Sequence, residues 1–562
     1  MRLKTRLDYE LDKPLLDGKS DFSIQFWVRT TADSTKRMVL LSKKDFTNNT
    51  LYAQRRPGWV FYMSHGTWAW NMGSGSRRIT YERDNGRIMR LNDGRWHQLT
   101  MTYDGAQSNV RLYFDGRERA MYNLADANGF DFANASPLAV GWKKEKYERH
   151  EGFGHTVEGG AGNLQELVDA FNDLGIEPVQ SDEFTDLIVD PTGLFNQRVQ
   201  KQVDLLDADG ATALLEAMAL ADLGPLKKAE SVLMRSPYTV HQNRQFTDIA
   251  PVTKLYALEN GRVIIRDSGA KAIAARERLD QPDFEIDNLA IWNRVLSRDE
   301  VGASYARHFE AVVREPQESI PEITAAAWNI EHGGLHFTMA EHGWDSRLTI
   351  AEMIRSQGID VVMMQETYSS GDFIAAELGY YFAEGVDWDY INQGANISVL
   401  SRYPIEELHV PASAPFSNLA VKVKLSKTQD MHVMSNWYGM NKFPAVMKFH
   451  GARFDASDVT PTLFAGDFNA IPHTDGGDSP ASRQLLESGF VDAYRSLHKI
   501  VKDFPGATHA DGQRIDQLYY KGAGLTNTST KIISSWPTGF PSDHYLLVSS
   551  FDLKTGQEEA RK

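Results

Sequence analysis

Asp467 and Asn469 stand two residues apart at the end of an apolar run, in the stretch LFAGDFNAIP at 463–472. In an extended chain, side chains two residues apart point to the same face. One such polar position is typical of a turn or a helix cap. The C-terminal part of the chain has four more, a number that favours a shared chemical role: Asn329 with Glu331, Glu366, Asp516, and Asp543 with His544.

The residue types in this set indicate metal-assisted hydrolysis of a phosphate ester. Several oxygen donors in a chain without cysteine suit Mg²⁺, Mn²⁺ or Ca²⁺ better than zinc. Asparagine amides can donate to phosphate oxygens, which carboxylates cannot do. His544 lies next to Asp543, and we expect it to act as a polarised acid–base imidazole. A divalent cation, phosphate-directed donors and an activated water together describe this reaction.

Alternating strands and helices must position these residues. Apolar strand patterns such as ITAAAWNI, IDVVMMQE and TLFAGDFN alternate with helix patterns such as DSRLTIAEMIRSQG. This alternation predicts an α/β domain over residues 323–554. A charged segment with two prolines precedes it and predicts a linker at 313–322.

The N-terminal part has a different pattern. FSIQFWV alternates, and WHQLTMTYDG and VRLYFDG end in Asp-Gly turns, which predicts an antiparallel β-sandwich over residues 1–156 and 281–312. Between these parts, NLQELVDAFNDLG and ATALLEAMALADLG have helical spacing. Residues 157–280 are therefore predicted as a helical insertion in the sandwich.

Composition narrows the class of protein. The 562 residues carry a formal net charge of −15, which argues against a protein whose main role is to coat nucleic acid. It leaves open an enzyme that meets phosphate with a bound metal. No apolar run is long enough to span a membrane, and MRLKTRLDYELDKP lacks the apolar core of a signal peptide. The absence of cysteine suits a bacterial protein that is secreted or periplasmic, with its signal already removed.

The C-terminal motifs resemble those of the endonuclease/exonuclease/phosphatase superfamily. WNIE, QE, NISVLSRYPI, GDFNA, RID and SDH occur in the order expected for that group. The resemblance implies a four-layer α/β/β/α sandwich with the active site at one edge of two packed sheets. It also implies a role for each matching residue: Glu366 as principal metal ligand, aided by Asn329, Glu331 and Asp543; Asp467 on the attacking water; Asn469 on the phosphoryl group; and Asp516 on His544, which contacts the phosphate.

One segment departs from the superfamily pattern. Many members carry a histidine where this chain has MSNWYGMN, with Trp437 or Tyr438 near that position. Tyr438 and Asn441 are similar to the Tyr-x-x-Asn of apurinic endonucleases, and a tyrosine can donate to developing phosphate charge. A rim position for Tyr438 is the equal alternative. The remaining candidates for substrate binding are His332, His336 and Asn396.

The N-terminal pattern resembles laminin-G-like, concanavalin-A-like jelly rolls. That family implies either a glycan-binding module or a structural one. Trp59, Trp68 and Trp70 are therefore candidates for stacking on sugar rings, and packing in the core is the alternative that we favour.

These patterns predict a divalent-metal-dependent phosphoric ester hydrolase, most readily a phosphodiesterase. A DNA or RNA nuclease is the nearest alternative, although nucleic acid is not the favoured partner because several Lys and Arg usually engage its phosphates. An alternative of another class is a glycan-binding or scaffolding protein whose phosphatase-like domain is inactive. Family resemblance does not choose the leaving group.

Overall fold

A computed structural model describes most of the two predicted domains. The described residues are 2–3, 7–9, 16–34, 38–45, 55–64, 66–81, 88–141, 232–233, 253–259, 262–267, 282–310, 317–334, 347–367, 370–386, 388, 396–412, 418–437, 443–477 and 479–554. The predicted helices of residues 157–280 lie outside this set. Within that segment the structure describes one small sheet of three strands, which we number β12–β14 along the chain: β12 (Val232–Leu233), β13 (Thr253–Glu259) and β14 (Arg262–Asp267).

The N-terminal sandwich has two layers of six strands each. The first layer contains β1 (Arg2–Leu3), β3 (Phe22–Arg29), β8 (His97–Asp104), β9 (Asn109–Phe114), β10 (Arg117–Asn123) and β15 (Phe284–Trp292). The second layer contains β2 (Leu7–Tyr9), β4 (Met38–Lys44), β5 (Gly58–Ser64), β6 (Thr67–Gly73), β7 (Arg78–Tyr81) and β11 (Leu138–Val140). Helix α1 (Arg298–Ala306) follows β15.

Apolar side chains of the two layers meet in one core. The inward face of β3 consists of Phe22, Ile24, Phe26 and Val28, as the alternation predicts. The three candidate tryptophans are in the same core with no exposed surface: Trp59, Trp68 and Trp70. They stabilise the sandwich by packing, and a sugar ring in solution cannot reach them.

The C-terminal domain has two further layers of six strands. One layer contains β16 (Glu322–Asn329), β17 (Val361–Gln365), β18 (Tyr381–Gly385), β19 (Ile397–Ser401), β26 (Leu525–Ile533) and β27 (Leu546–Leu553). The other contains β20 (Ile405–His409), β21 (Asn418–Lys424), β22 (Asp430–Trp437), β23 (Thr462–Asp467), β24 (Val491–Asp492) and β25 (Asp516–Lys521). Strand β16 begins at the last residue of the predicted linker.

Helices cover the outer faces of both sheets and complete four layers. Alternate residues of β16 point to opposite sides: Ala326 packs with Ile350 under the helices, whereas Ala325 packs with Leu463 between the sheets. This arrangement confirms the α/β/β/α prediction. Helices α3 (Arg347–Ser356) and α4 (Gly371–Leu378) pack on one sheet, and α5 (Phe443–Asp455) and α6 (Pro480–Glu487) on the other; α2 (Glu331–Gly334) and α7 (Ala493–Leu497) are shorter.

The two domains share one continuous sheet. Strand β10 of the N-terminal sandwich pairs in parallel with β18 of the C-terminal domain, with Met121 opposite Ala383 and Tyr122 opposite Glu384. The result is a sheet of twelve strands, six from each domain. Sequence patterns did not indicate this pairing, because each domain alone already accounts for its own strands.

A charged cluster connects the two domains at this junction. Glu118, whose side chain is 1% exposed, accepts hydrogen bonds from Arg111 at 2.9 Å and from Arg298 at 3.2 Å. The same guanidinium groups donate to the carbonyl of Ile405 in β20, at 3.0 Å and 2.7 Å. The carboxylate therefore holds two cations that bind the backbone of the neighbouring domain.

Among the residues that the structure describes, no helix is long and apolar enough to cross a membrane.

Glu118→Gln is expected to lower the free energy of unfolding by about 3 kcal/mol, because it leaves two largely buried guanidinium groups without their counter-charge. Thermal and urea unfolding of the full chain measure the effect. Glu318→Gln is the matched control, since Glu318 pairs with Lys427 but its side chain is 78% exposed and such pairs contribute at most about 1 kcal/mol. Equal losses in both variants would contradict this role for the junction.

Candidate active site

Five strand ends bring the predicted residues to one edge of the two sheets. Asn329 ends β16 and stands beside Gln365, the last residue of the parallel strand β17. Asp467 ends β23 and faces Asp516, the first residue of the antiparallel strand β25. The loop before β27 adds Asp543 and His544 at the same edge. These strand ends therefore bring the polar residues together at one edge of the sheets.

Gly466 explains the glycine of LFAGDFN. Its φ is +149°, and a Cβ at this position would stand 1.8 Å from the carbonyl oxygen of Asn436 on the neighbouring strand. Only glycine permits this approach of β23 to β22. The close packing fixes the position of Asp467, the next residue along.

Three site residues adopt left-handed backbone conformations: Glu331 with φ +43°, Glu366 with φ +51° and Asn469 with φ +47°. Asparagine tolerates this region better than glutamate does, and such positions are uncommon outside glycine. Strained residues of this kind cluster at functional sites, where surrounding contacts hold them in place. Glu366 directly follows β17, whereas one residue separates Glu331 from β16 and one separates Asn469 from β23.

Asp467 is a buried carboxylate surrounded by amide donors. Its Oδ2 accepts from Nδ2 of Asn329 at 3.1 Å and from Nδ2 of Asn469 at 2.9 Å, and its Oδ1 accepts from the backbone N–H of Asn469 at 2.8 Å. Burial and the nearby carboxylate of Asp516 raise the pKa of Asp467 to about 7. Asn469, which was predicted to face the phosphoryl group, supports Asp467 in this arrangement.

His544 forms a dyad with Asp516. Nδ1 of His544 lies 2.9 Å from Oδ2 of Asp516, the contact that the superfamily resemblance implies. Burial opposes the charged imidazolium, but the carboxylates of Asp516, Asp467 and Asp543 outweigh it and raise the pKa of His544 to about 10. The hydroxyl of Thr508 accepts a hydrogen bond from the backbone N–H of Asp516 at 2.8 Å and so holds the backbone of Asp516 in position.

The predicted metal ligands lie together on the first sheet. Nδ2 of Asn329 donates to Oε1 of Glu366 at 3.1 Å, and Oε2 of Glu331 accepts the backbone N–H of Asp543 at 3.3 Å. Oδ1 of Asn329 already accepts the backbone N–H of Glu331 at 3.0 Å. As placed, Asn329 presents its amide nitrogen to the carboxylates, so it serves as a cation ligand only if the amide turns over.

A hard divalent cation fits this donor set. Oδ1 of Asp516 and Oδ1 of Asp543 are both shielded from solvent, and neither has a hydrogen-bond partner. Buried carboxylate oxygens without a donor are costly, and a cation is one way to satisfy them. Carboxylate oxygens without thiolates are the ligands of Mg²⁺, Mn²⁺ and Ca²⁺.

Two residues predicted to bind substrate have structural positions. Asn396 is fully buried, its Nδ2 donates to Glu384 at 2.8 Å, and its carbonyl accepts the N–H of Thr367, next to Glu366, at 2.9 Å. Asn396 therefore supports the turn that carries Glu366. Trp437 is largely buried between the sheets. The other candidates lie outside the described residues: Tyr438, Asn441, His336 and the side chain of His332.

His509 is a site residue that sequence reasoning missed. Its Nε2 lies 3.3 Å from Oδ2 of Asp543, and its ring centroid is 4.6 Å from that of His544. It precedes the RID motif by several residues, in the segment ATHADGQRID. The pairing of His509 with His544 across a short backbone bridge depends on tertiary folding, which no local pattern shows.

A second ion-pair cluster connects segments on either side of the site residues in the sequence. Asp475 pairs with Arg495 at 2.7 Å and with Arg514 at 2.6 Å, and Arg514 also pairs with Asp492 at 2.8 Å. Burial acts against the Asp475 carboxylate, but the two guanidinium groups outweigh it and lower its pKa to about 2. The cluster ties the loop after GDFN to the residues directly before Asp516.

The C-terminal half is similar to endonuclease/exonuclease/phosphatase domains. Residues 326–544 match the model of the endonuclease/exonuclease/phosphatase family, and residues 8–153 match that of the concanavalin A-like lectin/glucanases superfamily. Both resemblances drawn from the sequence are thereby confirmed. A search of curated proteins found no match.

Solved structures similar to this chain cover about two fifths of it. The human Nocturnin catalytic domain with a bound sulfate anion is 18% identical, over 42% of this chain and 94% of its own, with a TM-score of 0.33. An endonuclease/exonuclease/phosphatase from Beutenbergia cavernae is 18% identical over 42% and 72%, with a TM-score of 0.33. An AP endonuclease from Archaeoglobus fulgidus is 15% identical over 40% and 98%, with a TM-score of 0.31.

Asp475→Asn is expected to destabilise the protein more at pH 6 than at pH 3. A carboxylate whose pKa is lowered in the folded state contributes stability above its unfolded pKa near 4, and that contribution is lost as the pH falls towards 2. Urea unfolding at both pH values measures the difference from the wild type. Asp503→Asn, at an exposed position of the same domain, should change little at either pH; a deficit in Asp475→Asn that is equal at pH 6 and pH 3 would contradict the argument.

Proposed function

We propose that this protein is a divalent-cation-dependent phosphoric ester hydrolase that favours phosphodiesters and attacks them with water. The observation that carries this proposal is the convergence of Asp467, Asp516 and His544, whose ligand atoms lie within 4.8 Å of one another at the edge that Glu366 shares. This family of folds holds both nucleases and phosphatases, so the reaction class follows from the site.

Asp467 is the residue proposed to orient and deprotonate the attacking water. A general base works best when its pKa lies near the operating pH, and the raised pKa of Asp467, about 7, meets that condition. The amides of Asn329 and Asn469 hold the carboxylate in one orientation. Since no protein nucleophile is required, attack occurs in line and inverts the configuration at phosphorus.

His544 is proposed to bind the phosphoryl group through Nε2. Its Nδ1 is anchored on Asp516 at 2.9 Å, which fixes the ring and leaves the other nitrogen towards the site. An imidazolium donor stabilises the negative charge that grows on phosphoryl oxygens in the transition state. Tyr438 is proposed to add a second donor from the segment after β22.

Glu366, Glu331 and Asp543 are proposed to hold the cation. When bound, the cation polarises the phosphoryl group and offsets charge on the leaving oxygen. Holding it there also reduces the repulsion among the carboxylates of the site, which burial makes stronger.

Charge favours a diester over a monoester. The described residues bring one cationic side chain, His544, to Asp467 and Asp516. A phosphodiester carries one negative charge, whereas a monoester at neutral pH carries close to two. The diester therefore suits this acidic surrounding better. A nuclease activity is compatible with the same reasoning, because nucleic acids are phosphodiesters. Assays with different phosphodiester substrates distinguish a nuclease from other diesterases.

Asp467→Asn and His544→Ala are each expected to lower kcat for bis-p-nitrophenyl phosphate by about 10²–10⁴-fold, the usual contribution of a positioned acid or base. Steady-state kinetics measure the loss, and circular dichroism verifies that the variants fold. Asp458→Asn removes an exposed carboxylate from the same domain and should leave the rate unchanged. Activity near the wild-type level in Asp467→Asn would rule out the proposed base.

EDTA is expected to abolish hydrolysis, and excess Mg²⁺, Mn²⁺ or Ca²⁺ to restore it, because the carboxylate ligands bind the cation reversibly. The same assay with bis-p-nitrophenyl phosphate, p-nitrophenyl phosphate, plasmid DNA and phospholipid head-group esters tests substrate class. We expect the diester to be cleaved faster than the monoester. A higher kcat/KM for the monoester would contradict the diesterase proposal, and preferential cleavage of plasmid DNA would favour the nuclease.

A further inference from the structure

Two histidine–carboxylate pairs stand side by side next to the proposed catalytic centre. Nδ1 of His509 lies 2.8 Å from Oδ1 of Asp511, just as Nδ1 of His544 lies 2.9 Å from Oδ2 of Asp516. The backbone N–H of Asp511 also approaches Nδ1 of His509, at the longer distance of 3.3 Å. A carboxylate beside one ring nitrogen of a histidine orients the ring, and the other nitrogen can then bind a metal in exchange for its proton.

Both Nε2 atoms point to the same carboxylate. Nε2 of His509 lies 3.3 Å from Oδ2 of Asp543, and Nε2 of His544 lies 3.8 Å from Oδ1 of Asp543. The three ligand atoms of this cluster lie within 4.8 Å of one another. Ligands about 2.1 Å from one cation stand about 3.0–4.2 Å apart, so a small contraction of the cluster is sufficient to bind an ion.

The surroundings of the cluster suit an ion that enters from solvent. Oδ1 of Asp543 is shielded and accepts no hydrogen bond. The side chains of His509 and Asp543 are 22% and 32% exposed, whereas His544 is 8% exposed. The cluster thus has a deep side and an open side, as a site with an entry path requires.

The donor atoms select the class of ion. Imidazole nitrogens bind Zn²⁺, Co²⁺ and related borderline cations in preference to Mg²⁺ or Ca²⁺. The carboxylates proposed to hold the catalytic cation offer only oxygen, which has the opposite preference. The two sets of ligands therefore discriminate between ions and share one residue, Asp543.

We propose that His509, Asp543 and His544 form a second cation site that binds Zn²⁺-class ions and inhibits the enzyme. The cation displaces the proton from Nε2 of His544. In the proposed mechanism, this N–H group donates a hydrogen bond to the phosphoryl group. Bound Zn²⁺ and bound substrate therefore exclude each other. The inhibition rests on the proposed function, whereas the binding of Zn²⁺ does not.

Calorimetric titration of the EDTA-treated full chain with Zn²⁺, in saturating Mg²⁺, tests the binding. We expect one Zn²⁺ site, and a loss of affinity of at least about tenfold in His509→Ala. His409→Ala is the matched control because Nε2 of His409 also contacts a carboxylate, Glu407, at 3.0 Å, but lies outside the cluster. Affinity in His509→Ala equal to that of the wild type, or an equal loss in His409→Ala, would overturn the site.

Asp511→Asn tests the supporting carboxylate without removing a ligand. It should weaken Zn²⁺ binding by about 10–100-fold, the effect usual for such outer contacts, while the thermal stability of the metal-free protein stays the same. Unchanged Zn²⁺ affinity in this variant would overturn the proposed arrangement of His509. Displacement of bound Co²⁺ by Zn²⁺, followed through the absorption of the bound cobalt, gives a readout that is independent of any hydrolytic activity.

Inhibition is measured as the Zn²⁺ concentration that halves hydrolysis of bis-p-nitrophenyl phosphate. That concentration should rise at least about tenfold in His509→Ala, in parallel with the binding loss. If Zn²⁺ binds at the site but the wild type hydrolyses no phosphoester, the proposed function fails and the site stands. If hydrolysis is normal and Zn²⁺ at saturation does not inhibit it, the inhibitory role fails.

Discussion

Repulsion among carboxylates is the constraint that this edge of the two sheets has to satisfy. Asp467 belongs to one sheet and Glu366 follows a strand of the other, and the amide of Asn329 donates to both at 3.1 Å. This single amide holds two like charges together across the gap between the sheets. On the far side, His544 supplies the positive charge that Asp516 and Asp467 need. The site is therefore a balance of charges, in which shared amide and imidazole donors offset the carboxylates.

A rigid scaffold is necessary for such a balance. The central strands are buried on both faces, by helices outside and by the opposite sheet inside. Dense packing of this kind resists the small movements that would separate the charges. It also holds Glu331, Glu366 and Asn469 in left-handed conformations that an isolated loop would not keep.

Much of this site was predictable because its residues lie where strong local patterns end. Apolar runs are recognisable as buried strands from the sequence. The polar residue that comes after such a run must lie where the strand ends, at the edge of the sheet. Contacts between distant segments were not predictable in the same way. The sequence gives no sign that His509 meets His544, that Asn396 turns inward to Glu384, or that β10 pairs with β18. The tryptophans illustrate the same point, since aromatic residues suit a core and a sugar-binding surface equally well.

The shared sheet limits how these domains can be exchanged in evolution or by design. In a domain of this kind without a partner, β18 would be an edge strand with unpaired backbone groups, and such edges recruit other chains. Here the N-terminal sandwich occupies that edge, and its own strand β15 comes from the far side of the long insertion. Transplanting either domain alone would therefore separate β10 from β18 and leave an unpaired strand edge in each domain.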